Sequence, residues 1–230
     1  MINGNGSTLL IATNNQGKIK ELHELLDDLG MELVTPAQLN LDLEVVEDGL
    51  TYAENAAKKA IAFAQASGLI SLADDSGLEV DALNGEPGLY SARYGSATGE
   101  KLSDAGRRAY LLQQLQNKVS PWTARFHATI AIAIPLGYVT LPMDAKGLKQ
   151  NSAETRPSEN VSLSEGWSDG EIIPKERGSG GFGYDPIFLL PELGKTMAEL
   201  SMDEKNRLSH RARAVINAKP ILERLFQNSG

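Results

Sequence analysis

The feature that most constrains this chain is a switch of hydrophobic period that repeats along residues 8–74. "TLLIAT" (8–13) is a short apolar run bounded by polar residues, which reads as a buried strand. "GKIKELHELLDDLG" follows, with Ile19, Leu22, Leu25, Leu26 and Leu29 at helical spacing and Gly30 placed to end a helix. "MELVTP" (31–36) is the next predicted strand. "LTYAENAAKKAIAFAQASG" (50–68) is the clearest helix. Thr51 and Glu54 form a capping box, and Ala53, Ala56, Ala57, Ala60, Ile61 and Ala64 make a narrow apolar stripe. "LISLAD" (69–74) is a third strand, ending on the pair Asp74–Asp75. Strands alternating with helices form a parallel sheet covered by helices, so the class is α/β. In such sheets ligands sit beyond the carboxyl ends of strands. Thr13–Lys18 and Asp74–Gly77 are both predicted there, in one crevice.

The rest of the chain adds an antiparallel portion. A Gly/Pro-punctuated loop spans 83–99, and "EKLSDAGRRAYLLQQLQ" (100–116) reads as a helix. "TARFHATIAIAI" (123–134) alternates with period two, putting Phe126, Ala128, Ile130, Ile132 and Ile134 on one face. Residues 137–158 are polar and irregular and read as a surface excursion. "VSLSEGWSDGEII" (161–173) reads as one or two strands. Ser201 and Glu204 form a second capping box, and Pro220 is expected to kink or break the last helix.

Bulk properties narrow the function classes. The 230 residues are read as one domain over 1–230, with 1–7 flexible. A net charge of −8 argues against a nucleic-acid polymer as partner. There are no cysteines, which excludes thiolate metal sites and thiol nucleophiles. No run reaches membrane-spanning length and no signal segment is visible, so the expectation is a cytoplasmic protein without a membrane partner.

Four stretches carry chemistry-bearing residues. "TNNQGK" (13–18) opens a helix whose free N–H groups and dipole favour an anion, and Lys18 adds a charge. It is not a Walker A loop, because Ala12 and Ile19 stand where that motif needs Gly and Ser or Thr. Taken alone, a helix cap with a solvated lysine explains it equally well. Asp74–Asp75 suits Mg²⁺, which takes one or two carboxylates together with substrate phosphates. Adjacent strand residues face opposite sides, so the pair divides its roles. Taken alone, the dipeptide reads as a solvated turn just as well. "GSGGFGYDP" (178–186) lets backbone approach a ligand closely, with Phe182 and Tyr184 offering ring faces and Asp185 an acceptor. "DEKNRLSHRAR" (203–213) clusters Lys205, His210, Arg211 and Arg213 around a break at Ser209. Its bland reading is a solvated basic face. Glu44, Glu47 and Asp48 precede the second helix and either favour its dipole or supply a second metal carboxylate. His23 and His127 read as a solvated helix residue and a strand residue.

The ordered set "IATNNQGKIKEL", "EDGLTYAENAAKKA", "LADDSGLEVDALNGEPGLYSARYG", "ARFHATIAIA", "GSGGFGYDPIF" and "KTMAELSMDEKNRLSHRARA" resembles the nonstandard purine nucleoside-triphosphate pyrophosphatases, which cleanse the nucleotide pool. The resemblance covers nearly the whole chain. It implies a two-lobed α/β fold around a long mixed β-sheet with flanking helices, the active site in the inter-lobe cleft, and a homodimer. The activity implied is Mg²⁺-dependent hydrolysis of ITP, dITP or XTP to the monophosphate and pyrophosphate. By the same resemblance, Thr13, Asn14, Asn15, Gln16, Gly17 and Lys18 contact the triphosphate. Asp75 is proton acceptor and magnesium ligand, and Ser76 touches substrate. Phe182, Gly183, Tyr184 and Asp185 stack on and orient the base, while Lys205, His210 and Arg211 read the purine or hold phosphate. The family's other metal acid aligns with Val46, so Glu47 beside it is the candidate. Two rivals are a pyrophosphatase of the related septum-inhibitor family and a nucleotide-binding regulator without catalysis. "GGFGYDPIF" and "SHR" argue against the first. The acids and lysines at 18, 74, 75 and 205 argue against the second.

Overall fold

The computed structural model describes residues 8–96, 102–137 and 160–227. The expectations for 1–7 and for the excursion past Gly137 lie outside these residues. Eight strands form one mixed sheet in the order β2-β1-β3-β5-β6-β7-β8, with β4 pairing off β3. The strands are β1 (Thr8–Ile11), β2 (Glu32–Val34), β3 (Ile70–Val80), β4 (Pro87–Gly88), β5 (Trp122–Ala133), β6 (Val161–Ile172), β7 (Phe188–Leu190) and β8 (Lys195–Thr196). The helices are α1 (Gln16–Leu26), α2 (Tyr52–Ser67), α3 (Asp104–Leu115), α4 (Met202–Leu208) and α5 (His210–Gln227). Parallel pairs join β1 to β2 and to β3, and the rest of the sheet is antiparallel. Among the described residues no helix is long and apolar enough to cross a membrane.

The expected strand at 69–74 is longer than its sequence suggests. β3 continues through Asp74, Asp75, Ser76 and Gly77 to Val80, because β5 pairs with it from Ser71 to Val80. β1 is the strand that stops: its last bond to β3 is Ala12 N to Leu72 O. The crevice therefore opens beyond the carboxyl end of β1 along an uncovered edge of β3, and the acid pair lies within a strand.

Both faces of the sheet are covered around this edge. On one face Leu9, Ile11, Leu72, Ile130 and Ile132 pack on Leu22 and Leu26 of α1 and Val215 and Leu222 of α5. On the other, Leu10, Ala73, Ala131 and Ala133 pack on Ala56, Ala60 and Phe63 of α2. A third cluster joins Leu78, Phe126 and Phe188 to Leu111 and Leu115 of α3. Burial on both faces explains why "ATIAIA" is apolar at every second and nearly every intervening position.

The caps differ in detail from expectation. Thr51 accepts from Glu54 N, but the Glu54 carboxylate accepts from Leu50 N, one residue before the cap. The Ser201–Glu204 box is complete. α5 runs on through Pro220 instead of breaking. The N–H that proline lacks would have bonded the carbonyl of Ile216, a residue half exposed to water, so its loss is cheaply made good.

Candidate active site

The uncovered edge of β3 is the organising feature. Without β1 beside it, the carbonyl of Asp74 has no strand partner. Two lysines arriving from opposite faces satisfy it: Lys18 Nζ of α1 at 3.2 Å and Lys59 Nζ of α2 at 2.8 Å. Lys18 also bonds Asp74 Oδ1 at 2.8 Å. Burial pulls its ammonium below the ordinary lysine value, against the Asp74 charge. Lys59 reaches Asp75 Oδ1 at 3.4 Å and Glu47 Oε1 at 2.9 Å. Lys59 was not among the expected site residues.

The two aspartates divide as strand geometry requires. Asp74 is 1% exposed and faces α5, where Arg211 Nε donates to its Oδ2. Burial alone would raise its pKa, but Arg211 and Lys18 outweigh burial and hold it far below the usual carboxylate range. Asp75 is 8% exposed and faces α2 and the crevice. Burial raises its pKa, helped by the Glu47 and Asp74 charges, while Lys59 and Lys18 oppose the rise.

Glu47 enters the crevice because residues 41–50 run extended and alternate. Leu43, Val45 and Glu47 point inward, while Val46 is 72% exposed. Asp48 turns outward to Lys58, and Glu44 remains exposed although it borders the crevice.

A buried ionic chain supports the other wall. Arg211 donates from Nε to Asp74, from Nη1 to Glu21 and from Nη2 to Ser76 Oγ at 3.0 Å. Its guanidinium is held above its ordinary pKa because Asp74 and Glu21 outweigh burial. Glu21 also pairs with Lys205 at 2.5 Å, and Lys205 pairs with Asp185 at 2.7 Å. Asp185 accepts from Phe182 N at 3.0 Å. Gly181 has φ +72°, and a Cβ there would collide with the Asp185 carboxylate, so only glycine fits. Glu21, like Lys59, was not foreseen.

Phe182 and Tyr184 separate in role. The Phe182 ring lies 5.4 Å from Lys205 Nζ and 5.5 Å from Arg211 Cζ, over two cations. It also rests on Gly17, where a Cβ would come within 2.5 Å of the ring. Tyr184, expected to offer a ring face, borders the crevice but is 4% exposed and packs in the core, with its hydroxyl donating to Ser91 O at 2.9 Å. Gly183 is clamped by α3: its N donates to Asp104 Oδ2 at 2.6 Å and its O accepts from Arg108 Nη1 at 2.8 Å.

His210 begins α5 after the extended Ser209. Its ring stacks on Phe126 at 4.7 Å, and Nδ1 is buried without a partner. Burial, reinforced by Arg211, keeps it neutral well below the usual imidazole value. Arg213 leaves the cluster and donates to Trp167 O.

Asn15 caps α1 by accepting from Lys18 N at 3.1 Å, and Asn15 N donates to Thr13 Oγ1 at 3.2 Å. Gln16 donates weakly to Asn14 O at 3.4 Å. Thr13–Lys18, Glu47, Asp75, Ser76, Phe182–Asp185, Lys205, His210 and Arg211 all border one crevice of about 640 Å³. One end gathers lysines, carboxylates and a helix start; the other gathers an aromatic ring, an unpartnered imidazole nitrogen and buried cations. The first suits a polyphosphate and a metal ion, the second a flat heterocycle.

Comparison with known proteins agrees with this chemistry. A sequence model described as the Ham1 family matches residues 9–221. A dITP/XTP pyrophosphatase of Desulforamulus reducens is 44% identical over 219 residues, covering 95% of this chain and 96% of that protein. The structure of the Staphylococcus aureus Ham1 protein superposes with a TM-score of 0.73 at 38% identity, covering 94% of this chain and 98% of that one. A nucleoside-triphosphatase / dITP/XTP pyrophosphatase of Mycobacterium abscessus gives a TM-score of 0.65 at 34% identity, covering 93% and 99%.

Proposed function

This chain belongs to the Ham1 family, and from that membership we propose that it hydrolyses nonstandard purine nucleoside triphosphates. ITP, dITP and XTP are the substrates, the products are the monophosphate and pyrophosphate, and Mg²⁺ is required. The observation that carries this reading is the placement of Asp75. It is the one acid of the pair that borders the crevice, its pKa is raised, and Lys18, Lys59 and Glu47 surround it.

Asp75 accepts a proton at its carboxylate from the attacking water. The water oxygen bonds to the α-phosphorus, the bond from that phosphorus to the bridging oxygen breaks, and pyrophosphate leaves. A weak carboxylate base is more effective for a raised pKa. Lys18, Lys59 and the N–H groups opening α1 set fixed positive charge where the triphosphate lies. Asp74 takes no proton; its low pKa keeps it ionised as the anchor of Arg211 and Lys18.

Asp75 and Glu47 fit a magnesium ion. Both carboxylates already converge on one positive charge, the Lys59 ammonium. Among the described residues no three His, Asp or Glu side chains could hold a metal alone. That suits an ion taking one or two carboxylates and the rest from phosphates and water. When bound, the ion supplies further positive charge against the triphosphate oxygens.

At the other end Phe182 offers a stacking face, and His210 offers a neutral ring with a free Nδ1. In the tautomer with its proton on Nδ1, His210 rewards the 6-keto oxygen of hypoxanthine or xanthine. An amine at that position leaves the donor unpaired, which disfavours adenine. The same membership implies a cytoplasmic homodimer. Pyrophosphate release from ITP, XTP, dITP, ATP, GTP and UTP, with and without Mg²⁺, tests the reading. Mg²⁺-dependent turnover favouring ITP, dITP and XTP is expected, and turnover of none of them overturns it.

A further inference from the structure

A second pocket, of about 370 Å³, lies on the α2 face of the sheet. β3 residues alternate, so Glu79, four positions further along, shares this face with Asp75. Its other polar walls are Tyr52 at the start of α2, His127 of β5 and Glu165 of β6. Leu50 and Leu89 close it with apolar surface.

The polar groups here are not satisfied by one another. His127 lies between the two acids, with Nδ1 3.7 Å from Glu79 and Nε2 3.8 Å from Glu165. Both separations exceed a hydrogen bond. Among the described residues no lysine or arginine is within ion-pair distance of either carboxylate. The nearby Arg125 is taken by Asp169 at 2.7 Å. Thr129 reaches Glu165 only at 3.4 Å. Tyr52 is 7% exposed; its hydroxyl leans towards Glu79 without closing a well-formed hydrogen bond and its oxygen accepts none, and His127 Nε2 is buried and unpartnered as well. Burial and the neighbouring Glu79 and Asp75 charges raise the Tyr52 phenol far above its ordinary value, so it stays neutral. Two acids and two orphaned polar atoms in one pocket call for a ligand that donates hydrogen bonds and carries positive charge.

That ligand is larger than a metal ion. Among the described residues no three His, Asp or Glu side chains converge to hold a metal. The walls also carry rings: Tyr52 meets His127 edge-on at 4.9 Å. Aromatic faces and apolar walls around paired carboxylates suit an organic cation. We propose that this pocket binds an ammonium or guanidinium head on an apolar stem, held between Glu79 and Glu165 with Tyr52 and His127 as acceptors. The cation is a free organic amine, whose apolar stem the leucine walls receive. The site is independent of the reading of Asp75.

NMR of the His127 side chain, one of three histidines, follows binding directly. n-Butylamine and agmatine are the probes, and n-butanol is the uncharged control. Saturable shifts with both amines and none with butanol are expected. The Glu79→Gln/Glu165→Gln double variant keeps its circular dichroism and nucleotide turnover but binds the amines roughly tenfold or more weakly. Sedimentation gives the same mass with and without saturating amine; a mass that falls as amine is added means the amine displaces another copy of the chain and overturns a free amine as the occupant. Amines that leave His127 unmoved, or that move it equally in the folded double variant, overturn the proposal.

Discussion

Asp74 and Asp75 are neighbours on one strand, yet they face opposite sides of the sheet and feel opposite electrostatics. Asp74 is held ionised by two cations, and Asp75 has its pKa pushed up by burial. Substitution at the two positions therefore has different consequences.

Asp75→Asn leaves the fold intact, because Lys59 keeps its bond to Glu47. The rate constant kcat falls by roughly 10²-fold or more, as loss of a base demands. Steady-state pyrophosphate release checks it. A near-normal rate removes Asp75 as the base.

Asp74→Asn is a stability variant. It leaves Arg211 and Lys18 short of a counter-charge inside the protein, which costs about 3–5 kcal/mol. Urea unfolding should show a lower midpoint with an unchanged slope. A midpoint equal to wild type contradicts the assigned anchor role.

Lys18→Ala and Lys59→Ala both weaken triphosphate binding and raise KM. They differ in metal response. Removing Lys59 takes away the one ammonium that both Glu47 and Asp75 touch, so its variant should need less Mg²⁺ for half-maximal rate, while Lys18→Ala, whose charge acts on them without an ion-pair contact, should shift that value less. Magnesium titrations of the two variants decide this, and identical curves reject it.

Gly17→Ala pushes the Phe182 ring off its seat, since the new methyl would overlap it. KM for ITP should rise while inhibition by pyrophosphate, which has no base to stack, stays as in wild type. An equal loss for both ligands means the substitution damages the phosphate loop instead.

His210 makes stability depend on pH. Its imidazole stays unprotonated in the fold, whereas the unfolded chain takes up a proton below about pH 6.5. The unfolded state then binds more protons, so stability falls as the pH drops through that value. His210→Asn should flatten this slope in urea midpoints measured on either side of it. A slope equal to wild type excludes His210 as its source.

The α/β class and most elements were readable because hydrophobic period reports local geometry. The course of β3 was not: "DDSG" carries turn chemistry, and only pairing with β5 makes it strand. Glu47 was within reach, since "LDLEVVE" alternates and assigns Val46 to solvent. Lys59 was readable in principle. The buried positions of α2 are Tyr52, Asn55, Ala56, Ala60, Phe63 and Ala64, and Lys59 falls on the same side. The expected stripe shares Ala56, Ala60 and Ala64 with this side but was centred towards Ala53, Ala57 and Ile61, away from Lys59, which hid the lysine. Glu21 follows the same rule, one turn after Lys18 and beside Leu22. Tyr184 borders the crevice, but a flanking glycine does not reveal that Ser91, far away in sequence, accepts its hydroxyl and holds most of the ring in the core.

The ionic chain from Asp74 through Arg211, Glu21 and Lys205 to Asp185 has a bearing on biosynthesis. Its three acids precede both Lys205 and Arg211 in the sequence and are therefore translated before them. Until Lys205 and Arg211 emerge, Glu21 and Asp185 lack the cations that let them enter the interior, and Asp74 has only Lys18. The nascent chain cannot close this wall early, and a product that stops before Lys205 lacks the wall altogether.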